Sequence, residues 1–121
     1  MFDHVGVNVK DYPTSKRFYD AVLATLGYGV VMEFPHACGY GPESQPKLWI
    51  AQREPLGTGT HIALASPDRA TVDAFYEAAL AAGGTDNGPP GLRTEYHESY
   101  YGAFVFDPDG NNVEAVCHDP E

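Results

Sequence analysis

The stretch that decides the fold reads Phe104-Val105-Phe106-Asp107-Pro108-Asp109-Gly110-Asn111-Asn112-Val113-Glu114-Ala115-Val116. Two short apolar runs flank a dense turn signal, because Pro and Gly interrupt regular structure and Asp and Asn accept left-handed backbone. The pattern predicts a β-hairpin. Glu114 interrupts the second apolar run, and a carboxylate that faces a protein interior is costly unless it is paired or bound to a metal. The rest of the chain must therefore supply a partner for Glu114.

Length and charge set the class of protein. The chain has 121 residues, which predicts a single domain over 1–121. The formal net charge of −10 argues against nucleic acid or an anionic membrane as a partner, because both bind basic surfaces. We find no apolar run of membrane-spanning length and no signal-peptide pattern at the start, so a cytoplasmic location is expected. Cys38 and Cys117 fit no metal or redox motif and are interpreted as reduced thiols, with a disulfide as the alternative.

The first part of the chain is typical of a strand followed by a helix. Residues 3–9 alternate between apolar and polar side chains, which predicts a strand with one apolar face. Asp11 is a helix N-cap, apolar residues recur at spacings of four from Phe18 to Leu26, and Gly27 fits a helix stop.

The same strand and helix recur 57 residues later. Residues 60–85 align on residues 3–28 without a gap, and nine of 26 positions are identical, against about one or two expected by chance. The identical pairs are His4/His61, Asp11/Asp68, Thr14/Thr71, Phe18/Phe75, Tyr19/Tyr76, Ala21/Ala78, Leu23/Leu80, Ala24/Ala81 and Gly27/Gly84. Any two strand–helix units look alike to some degree, but that does not explain a histidine at the same place in both.

Further strands follow each helix. In the first half they are predicted at 29–34 and 47–51, with a loop between them that holds His36, Cys38 and Pro42. In the second half a Gly- and Pro-rich loop leads to a strand at 92–97 and then to the hairpin at 101–116. The resulting fold class is α+β: two βαβββ modules, 1–55 and 58–118, form a curved, mostly antiparallel eight-stranded sheet with both helices on its outer face.

Strand parity brings three polar residues to the concave face of that sheet. His4, His61 and Glu114 each point away from the aliphatic side of their strands. Two imidazoles and a carboxylate suit one divalent metal ion, Fe²⁺, Mn²⁺, Ni²⁺ or Zn²⁺, with coordination positions left open for water or substrate. The alternatives are that each histidine is a hydrogen-bonded structural residue and that Glu114 forms a salt bridge, for example to Arg93.

Three motifs, at residues 3–7, 60–64 and 107–114, resemble those of the vicinal oxygen chelate superfamily. That superfamily includes glyoxalase I, extradiol dioxygenases, methylmalonyl-CoA epimerase and the fosfomycin and bleomycin resistance proteins, and the chain is most similar to its short glyoxalase-like members. The resemblance implies paired βαβββ modules around a metal-lined cup. It also implies that His4, His61 and Glu114 match the ligands of the first, fifth and eighth strands.

One strand departs from the glyoxalase I pattern. Glyoxalase I has a fourth protein ligand in the last strand of its first module, where this chain has Trp49 between Leu48 and Ile50. A His-His-Glu set is closer to that of the extradiol dioxygenases, which are usually much longer. Trp49 is interpreted as a wall of the substrate pocket.

The segment 93–101 is rich in tyrosine and precedes the final hairpin. If it lines the cup, His97 is a candidate acid or base. Tyr96 and Tyr101 are further catalytic candidates, and Tyr100 and Arg93 join Trp49 as substrate-binding candidates. The alternative is that the tyrosines only cover the sheet edge. His36 and His118 are interpreted as surface residues.

Together these features favour a small homodimeric metalloenzyme. The metal would chelate two neighbouring oxygens of a small-molecule substrate and stabilise an oxyanion, in a lyase or isomerase reaction of the glyoxalase-like type. The alternatives are an extradiol-type ring-cleaving dioxygenase and a non-catalytic, resistance-type protein that binds a small molecule.

Overall fold

The computed structural model describes residues 1–57 and 59–121. The first half of the chain contains β1 (Val5–Val9), α1 (Tyr12–Thr25), β2 (Gly29–Phe34), β3 (Ala37–Gly41) and β4 (Leu48–Gln52). The second half contains β5 (His61–Ala65), α2 (Arg69–Ala81), β6 (Thr85–Asp86), β7 (Gly91–Leu92), β8 (Tyr101–Phe106) and β9 (Asn112–Cys117). Thr58, where the sequence predicts the second module to begin, lies outside the described residues.

The strands form two mixed sheets. The first has the order β1-β4-β3-β2, and the second has the order β5-β9-β8-β6 with β7 also paired to β8. In each sheet the first strand of the module runs parallel to the last strand. The α+β class is confirmed, but the single curved, mostly antiparallel eight-stranded sheet is not confirmed, because the described strands form two mixed sheets. In the part of the chain that the structure describes, β1 and β5 are both edge strands and do not pair with each other.

Two local expectations also change. The segment predicted as a loop around Cys38 contains β3, which pairs with β2 on one side and β4 on the other. Its glycines suggest a turn, and cross-strand pairing overrides that local preference. The strand predicted at 92–97 ends at Leu92, because the carbonyl of Arg93 accepts hydrogen bonds from the backbone N–H groups of Tyr96 and His97 and closes a turn.

The repeat is visible in the helix caps. The carboxylate of Asp11 accepts the backbone N–H of Thr14 at 3.1 Å, and that of Asp68 accepts the backbone N–H of Thr71 at 2.7 Å. Each bond satisfies one of the free donors at a helix N-terminus. The predicted N-caps are therefore confirmed in both modules.

The helix ends differ by one residue between the modules. Gly27 ends α1 with a φ of 85° and Gly83 ends α2 with a φ of 98°, so the stop residue of α2 is Gly83, not the aligned Gly84. Gly84 has a different constraint: a Cβ there would lie 2.6 Å from the ring of Phe18. In the aligned pair Gly27/Gly84, Gly27 is therefore a helix stop, whereas Gly84 is a site of close packing.

The modules meet through helix α1. It packs against α2, and the buried hydroxyl of Tyr19 donates to Asp107 at 2.6 Å. The same carboxylate accepts the backbone and side-chain N–H groups of Asn111 at 2.9 and 2.8 Å. Asp107 therefore stabilises the turn between β8 and β9 and also bonds to α1. Through this residue the turn contributes to the contact between the two modules.

Each sheet has one face under the helices and an opposite face, which we call the open face. Cross-strand neighbours on the open face of the first sheet form the row Gly6, Trp49, Gly39 and Met32. The matching row on the second sheet is Ala63, Glu114 and Phe104. Because Gly6 and Ala63 are related by the 57-residue repeat, Trp49 lies at the position that corresponds to Glu114.

Both cysteines, Cys38 and Cys117, are buried free thiols, in agreement with the predicted reduced state. Among the described residues, no helix is both long and apolar enough to cross a membrane.

We predict that Tyr19→Phe lowers the free energy of unfolding by about 1–3 kcal/mol, because Asp107 loses a donor in a buried position. Urea unfolding measures this change. The matched control is Tyr76→Phe at the repeat-equivalent position, where the hydroxyl bonds to Asp86 at the surface. An equal or larger loss in the control would contradict the role of the buried bond.

We also predict that Gly39→Ala destabilises the fold by about 1–3 kcal/mol through overpacking. A Cβ at this position would lie 2.7 Å from Pro46 and 2.9 Å from the ring of Trp49. Since Trp49 is the only tryptophan in the chain, its emission maximum should shift in the variant. Gly29→Ala on the neighbouring strand, where an added Cβ meets nothing within 4 Å, should leave the emission unchanged.

Candidate functional site

The carboxylate of Glu114 lies at the centre of the second open face. It is 1% exposed although no helix covers that side of β9. Its Oε1 lies 2.6 Å from Nε2 of His61 on the adjacent strand β5, and its Oε2 accepts the hydroxyl of Tyr100 at 2.5 Å. The partners that the sequence requires for Glu114 are thus an imidazole and a phenol.

An aromatic ring packs beside the buried carboxylate of this pair, while the side chain of His61 is 49% exposed. Phe104 is the direct cross-strand neighbour of Glu114, and its ring centroid lies 6.4 Å from that of His61. The guanidinium of Arg93 lies over Phe104 at 5.4 Å and donates to the carbonyl of Pro89 at 2.7 Å. The alternative salt bridge between Arg93 and Glu114 is therefore not formed.

Tyr100 is held tightly beside the carboxylate. Burial, together with the hydrogen bond to Glu114, raises the pKa of its phenol well above the ordinary value. The hydroxyl therefore stays protonated at neutral pH and acts as a donor to Oε2. Gly102 makes room for it, since a Cβ there would lie 3.2 Å from the Tyr100 ring.

A cluster of aromatic rings surrounds Tyr100. The Tyr96 ring meets it edge-on at 5.1 Å, and the His118 ring meets it at 5.2 Å. His97 packs on His118 at 5.9 Å, and its Nδ1 accepts the backbone N–H of Ser99. His97 thus joins the cluster through the ring of His118, and Tyr96, which is 64% exposed, forms the solvent side of the cluster.

Tyr101 lies on the opposite side of the sheet. Its hydroxyl donates to Asp73 of α2 at 2.7 Å, and the guanidinium of Arg69 lies over its ring at 5.1 Å. Tyr101 therefore lies on the far side of the sheet from Glu114, and its expected catalytic role stays a prediction. The physical reason is strand parity: in β8 the residue after Tyr100 turns to the helix side.

His4 is not joined to the pair in this chain. Its Nδ1 lies 2.6 Å from the carboxylate of Asp3, and this bond lowers the pKa of Asp3. Within residues 1–57 and 59–121, no group of three or more His, Cys, Asp or Glu side chains is arranged to hold a metal ion. His4 and His61 do line one cavity of about 620 Å³, together with residues of β1 and β5.

The first open face presents aromatic rings. Trp49 is flanked in the strand by the buried residues Leu48 and Ile50, so its indole faces away from the helices as expected. The ring of Phe34 stacks with it at 6.2 Å and an interplanar angle of 24°. Trp49 and His4 line a second cavity of about 500 Å³.

The second module supplies two of the donor atoms that a divalent-ion site needs, one from His61 and one from Glu114. Two ligands at right angles on an ion with bonds of about 2.1 Å lie about 3 Å apart. Nε2 of His61 and Oε1 of Glu114 are 2.6 Å apart, so a slight separation would let both bind one ion. The hydrogen bond from Tyr100 would orient the carboxylate, as supporting groups do in metal sites.

Four residues of the site are absent from the sequence-based set. Phe104 and His118 surround the Glu114 pair, and Phe34 and Gly39 shape the Trp49 face. The position of Phe104 was predictable from the sequence, because the hairpin turn at 107–111 sets its pairing with Glu114. The other three were not predictable, because Phe34 and Gly39 reach Trp49 only through the pairing of β2, β3 and β4, and His118 follows the last strand.

Both the sequence and the fold of the chain are similar to those of known proteins. The family model of the Glyoxalase/Bleomycin resistance protein/Dioxygenase superfamily matches residues 1–115. Among curated proteins, no sequence matches this chain.

Several solved structures share the fold. A glyoxalase/bleomycin resistance protein from Albidiferax ferrireducens is 35% identical with a TM-score of 0.86, over 97% of this chain and 98% of that one. A putative glyoxalase from Bacillus halodurans is 23% identical with a TM-score of 0.74, over 97% and 95%. A lactoylglutathione lyase from Agrobacterium tumefaciens is 18% identical with a TM-score of 0.70, over 97% and 92%. The last two show similarity of fold alone.

The family match over nearly the whole chain agrees with the three motifs, the repeated modules and the open-face carboxylate. The chain belongs to the Glyoxalase/Bleomycin resistance protein/Dioxygenase superfamily.

Proposed function

We propose that the protein is a glyoxalase-like enzyme of the lyase or isomerase type that uses a divalent metal to chelate vicinal oxygens of a small substrate. The observation that carries the proposal is the pairing of His61 with the buried carboxylate of Glu114 at 2.6 Å on an open sheet face. Such a carboxylate is costly to bury, and a cleft with a matched imidazole is where a functional site is expected.

The metal would be held by His4, His61 and Glu114. Imidazole and carboxylate donors suit Fe²⁺, Mn²⁺, Ni²⁺ or Zn²⁺. His61 and Glu114 already lie together, and His4 lines the same cavity as His61. His4 would exchange its exposed bond to Asp3 for the metal, and an exposed pair of this kind contributes little to stability.

When bound, the ion would supply a Lewis acid for the charge that develops on the substrate oxygens. Tyr100 would keep the Glu114 carboxylate in one orientation through its bond to Oε2. His97 would hold or release the proton at its Nε2, because its Nδ1 is engaged by the backbone of Ser99. Tyr96 and Arg93 border the same face and would complete the pocket wall.

A second candidate function is non-catalytic binding of a small molecule. It is favoured by Trp49, which takes the position that corresponds to Glu114 in the repeat and places an indole where a further ligand would lie. In that case the cup would hold an apolar molecule without a metal. Metal content therefore separates the two candidates.

We further propose that the protein acts as a homodimer. The edge strands β1 and β5 each pair on one side only among the described residues, and Val5 at the start of β1 is 37% exposed. An unpaired strand edge is a template for pairing with another chain, and most soluble oligomers are symmetric assemblies of one chain. A second copy would cover both edges.

The first prediction from this proposal concerns bound metal. The purified protein should contain about one divalent ion per chain, and His4→Ala, His61→Ala and Glu114→Ala should each lose most of it. Elemental analysis measures the content. His36→Ala is the matched control, because this histidine is exposed in the turn between β2 and β3.

Two outcomes would redirect the proposal. Absence of metal from every form, even after reconstitution at neutral pH, would leave the binding protein in place of the enzyme. Substrate-dependent oxygen consumption by the metal-loaded protein would identify a dioxygenase instead of a lyase or isomerase.

The second prediction concerns Tyr100. Tyr100→Phe removes the donor to Oε2 and should weaken metal binding by about tenfold to a hundredfold, the usual effect of losing a group that orients a ligand. Competition with a chromophoric chelator measures the affinity. Tyr101→Phe is the control, since its hydroxyl bonds to Asp73 on the helix side. Equal weakening in both variants would contradict a specific role for Tyr100.

A further inference from the structure

We propose that His118 is a positioning residue of the site, which holds the phenol of Tyr100 in the orientation that bonds to Glu114. The inference rests on the proposed function in taking Glu114 as a metal ligand. The family match ends at residue 115, so His118 lies beyond the part of the chain that the match covers. Its role follows from contacts of this chain alone.

The side chain of Tyr100 runs across the sheet to reach its partner. Phe104 is the cross-strand neighbour of Glu114, so the carboxylate lies four residues along the chain from Tyr100 on the β8 side. The phenol crosses Gly102, where a Cβ would lie 3.2 Å from its ring and 3.5 Å from Oε2 of Glu114. Its hydroxyl then donates to that oxygen. A small rotation at the base of so long a side chain would carry the hydroxyl out of hydrogen-bond range.

Several contacts of Tyr100 come from the segment that carries it. The ring of Tyr96 meets the phenol edge-on at 5.1 Å. The backbone N–H of Tyr100 donates to the carbonyl of His97 at 3.1 Å, and its carbonyl accepts the N–H of Arg93 at 2.7 Å. These groups move together with the loop, so they do not by themselves fix the phenol relative to β9.

His118 supplies a contact from the strand that carries the carboxylate. Tyr101 pairs with Cys117, so Tyr100 and His118 lie side by side just outside the paired ends of β8 and β9. Their rings meet at 5.2 Å and 87°, a geometry that aromatic pairs prefer. Because β9 also carries Glu114, the ring of His118 fixes the phenol relative to its hydrogen-bond partner.

The chain end holds His118 in place although the residue is exposed. On one side His118 directly follows β9. On the other, Glu121 forms an ion pair with Arg69 of α2 at 3.5 Å. The ring of His97 packs on that of His118 at 5.9 Å. The last residues of the chain are therefore attached at both ends, with the imidazole of His118 directed to Tyr100.

The first measurement reads the hydrogen bond in metal-free protein. Charge-assisted hydrogen bonds from a hydroxyl to a carboxylate are short and strong, so the hydroxyl proton of Tyr100 should give a downfield proton resonance. Its loss in Tyr100→Phe assigns it. We expect His118→Ala to broaden this resonance into that of water and His118→Phe to retain it, because a flat ring is kept.

Two controls accompany this measurement. The buried hydroxyl of Tyr19 donates to Asp107 at 2.6 Å, and its resonance should persist in every His118 variant. Asp119→Ala alters the next side chain, which is exposed, and should leave the resonance of Tyr100 unchanged.

The second measurement is a double-mutant cycle on Zn²⁺ affinity, read by competition with a chromophoric chelator. His118→Ala should weaken Zn²⁺ binding about threefold to tenfold, the size of an aromatic-pair contribution. In the Tyr100→Phe background the same change should weaken binding less than about twofold, since the hydroxyl on which His118 acts is absent. Urea unfolding should show an equal loss of stability in both backgrounds, because the ring contact remains in each.

Three outcomes would overturn the inference. They are a Tyr100 hydroxyl that exchanges freely with water in the unaltered protein, a resonance that survives in His118→Ala, and Zn²⁺ binding that His118→Ala weakens equally in both backgrounds. The resonance is read without metal. A protein that binds no Zn²⁺ but loses the resonance in His118→Ala would therefore defeat only the proposed enzyme, and a Zn²⁺-binding protein that keeps the resonance would defeat only the role of His118.

Discussion

The burial of the Glu114 carboxylate is the constraint on which the second module depends. A carboxylate that is 1% exposed destabilises the folded chain unless its oxygens are occupied. Satisfying Oε1 requires β5 to lie parallel and adjacent to β9, so that His61 reaches across the strands. Satisfying Oε2 requires the segment before β8 to fold back and present Tyr100. The pairing of β5 with β9 and the shape of that loop thus both serve to satisfy one side chain.

The two modules share one arrangement of strands and helix but present different side chains on their open faces. Three positions of their central rows correspond, and the aromatic ring lies on a different strand in each. The first module has Trp49 on its last strand and Gly39 beside it, and the second has Glu114 on its last strand and Phe104 beside it. In each pair one ring fills the space that the sheet leaves open. The exchange produces an aromatic wall in one module and a shielded carboxylate in the other.

Sequence reasoning succeeded where the physical cause is local. Both N-caps depend on residues three apart, and the side of the sheet that Trp49 and Glu114 face follows from strand parity alone. It failed where position depends on chain that is distant in sequence. Nothing near Cys38 indicates that β2 and β4 would pair on both sides of it. Which tyrosine faces the carboxylate was not predictable, because it depends on where β8 starts, and the loop before β8 sets that start.

Charge links the site to the rest of the chain. A protein of net charge −10 repels anions at long range and attracts cations. If the proposed substrate is anionic, it would therefore need local positive charge in the cup to offset that field. Lys47 supplies one such charge beside His4, and Arg93 lies over Phe104 beside Glu114. A divalent ion at His61 and Glu114 would supply the largest one. The acidic surface would draw that ion in, so the same charge that opposes the substrate favours the group that binds it.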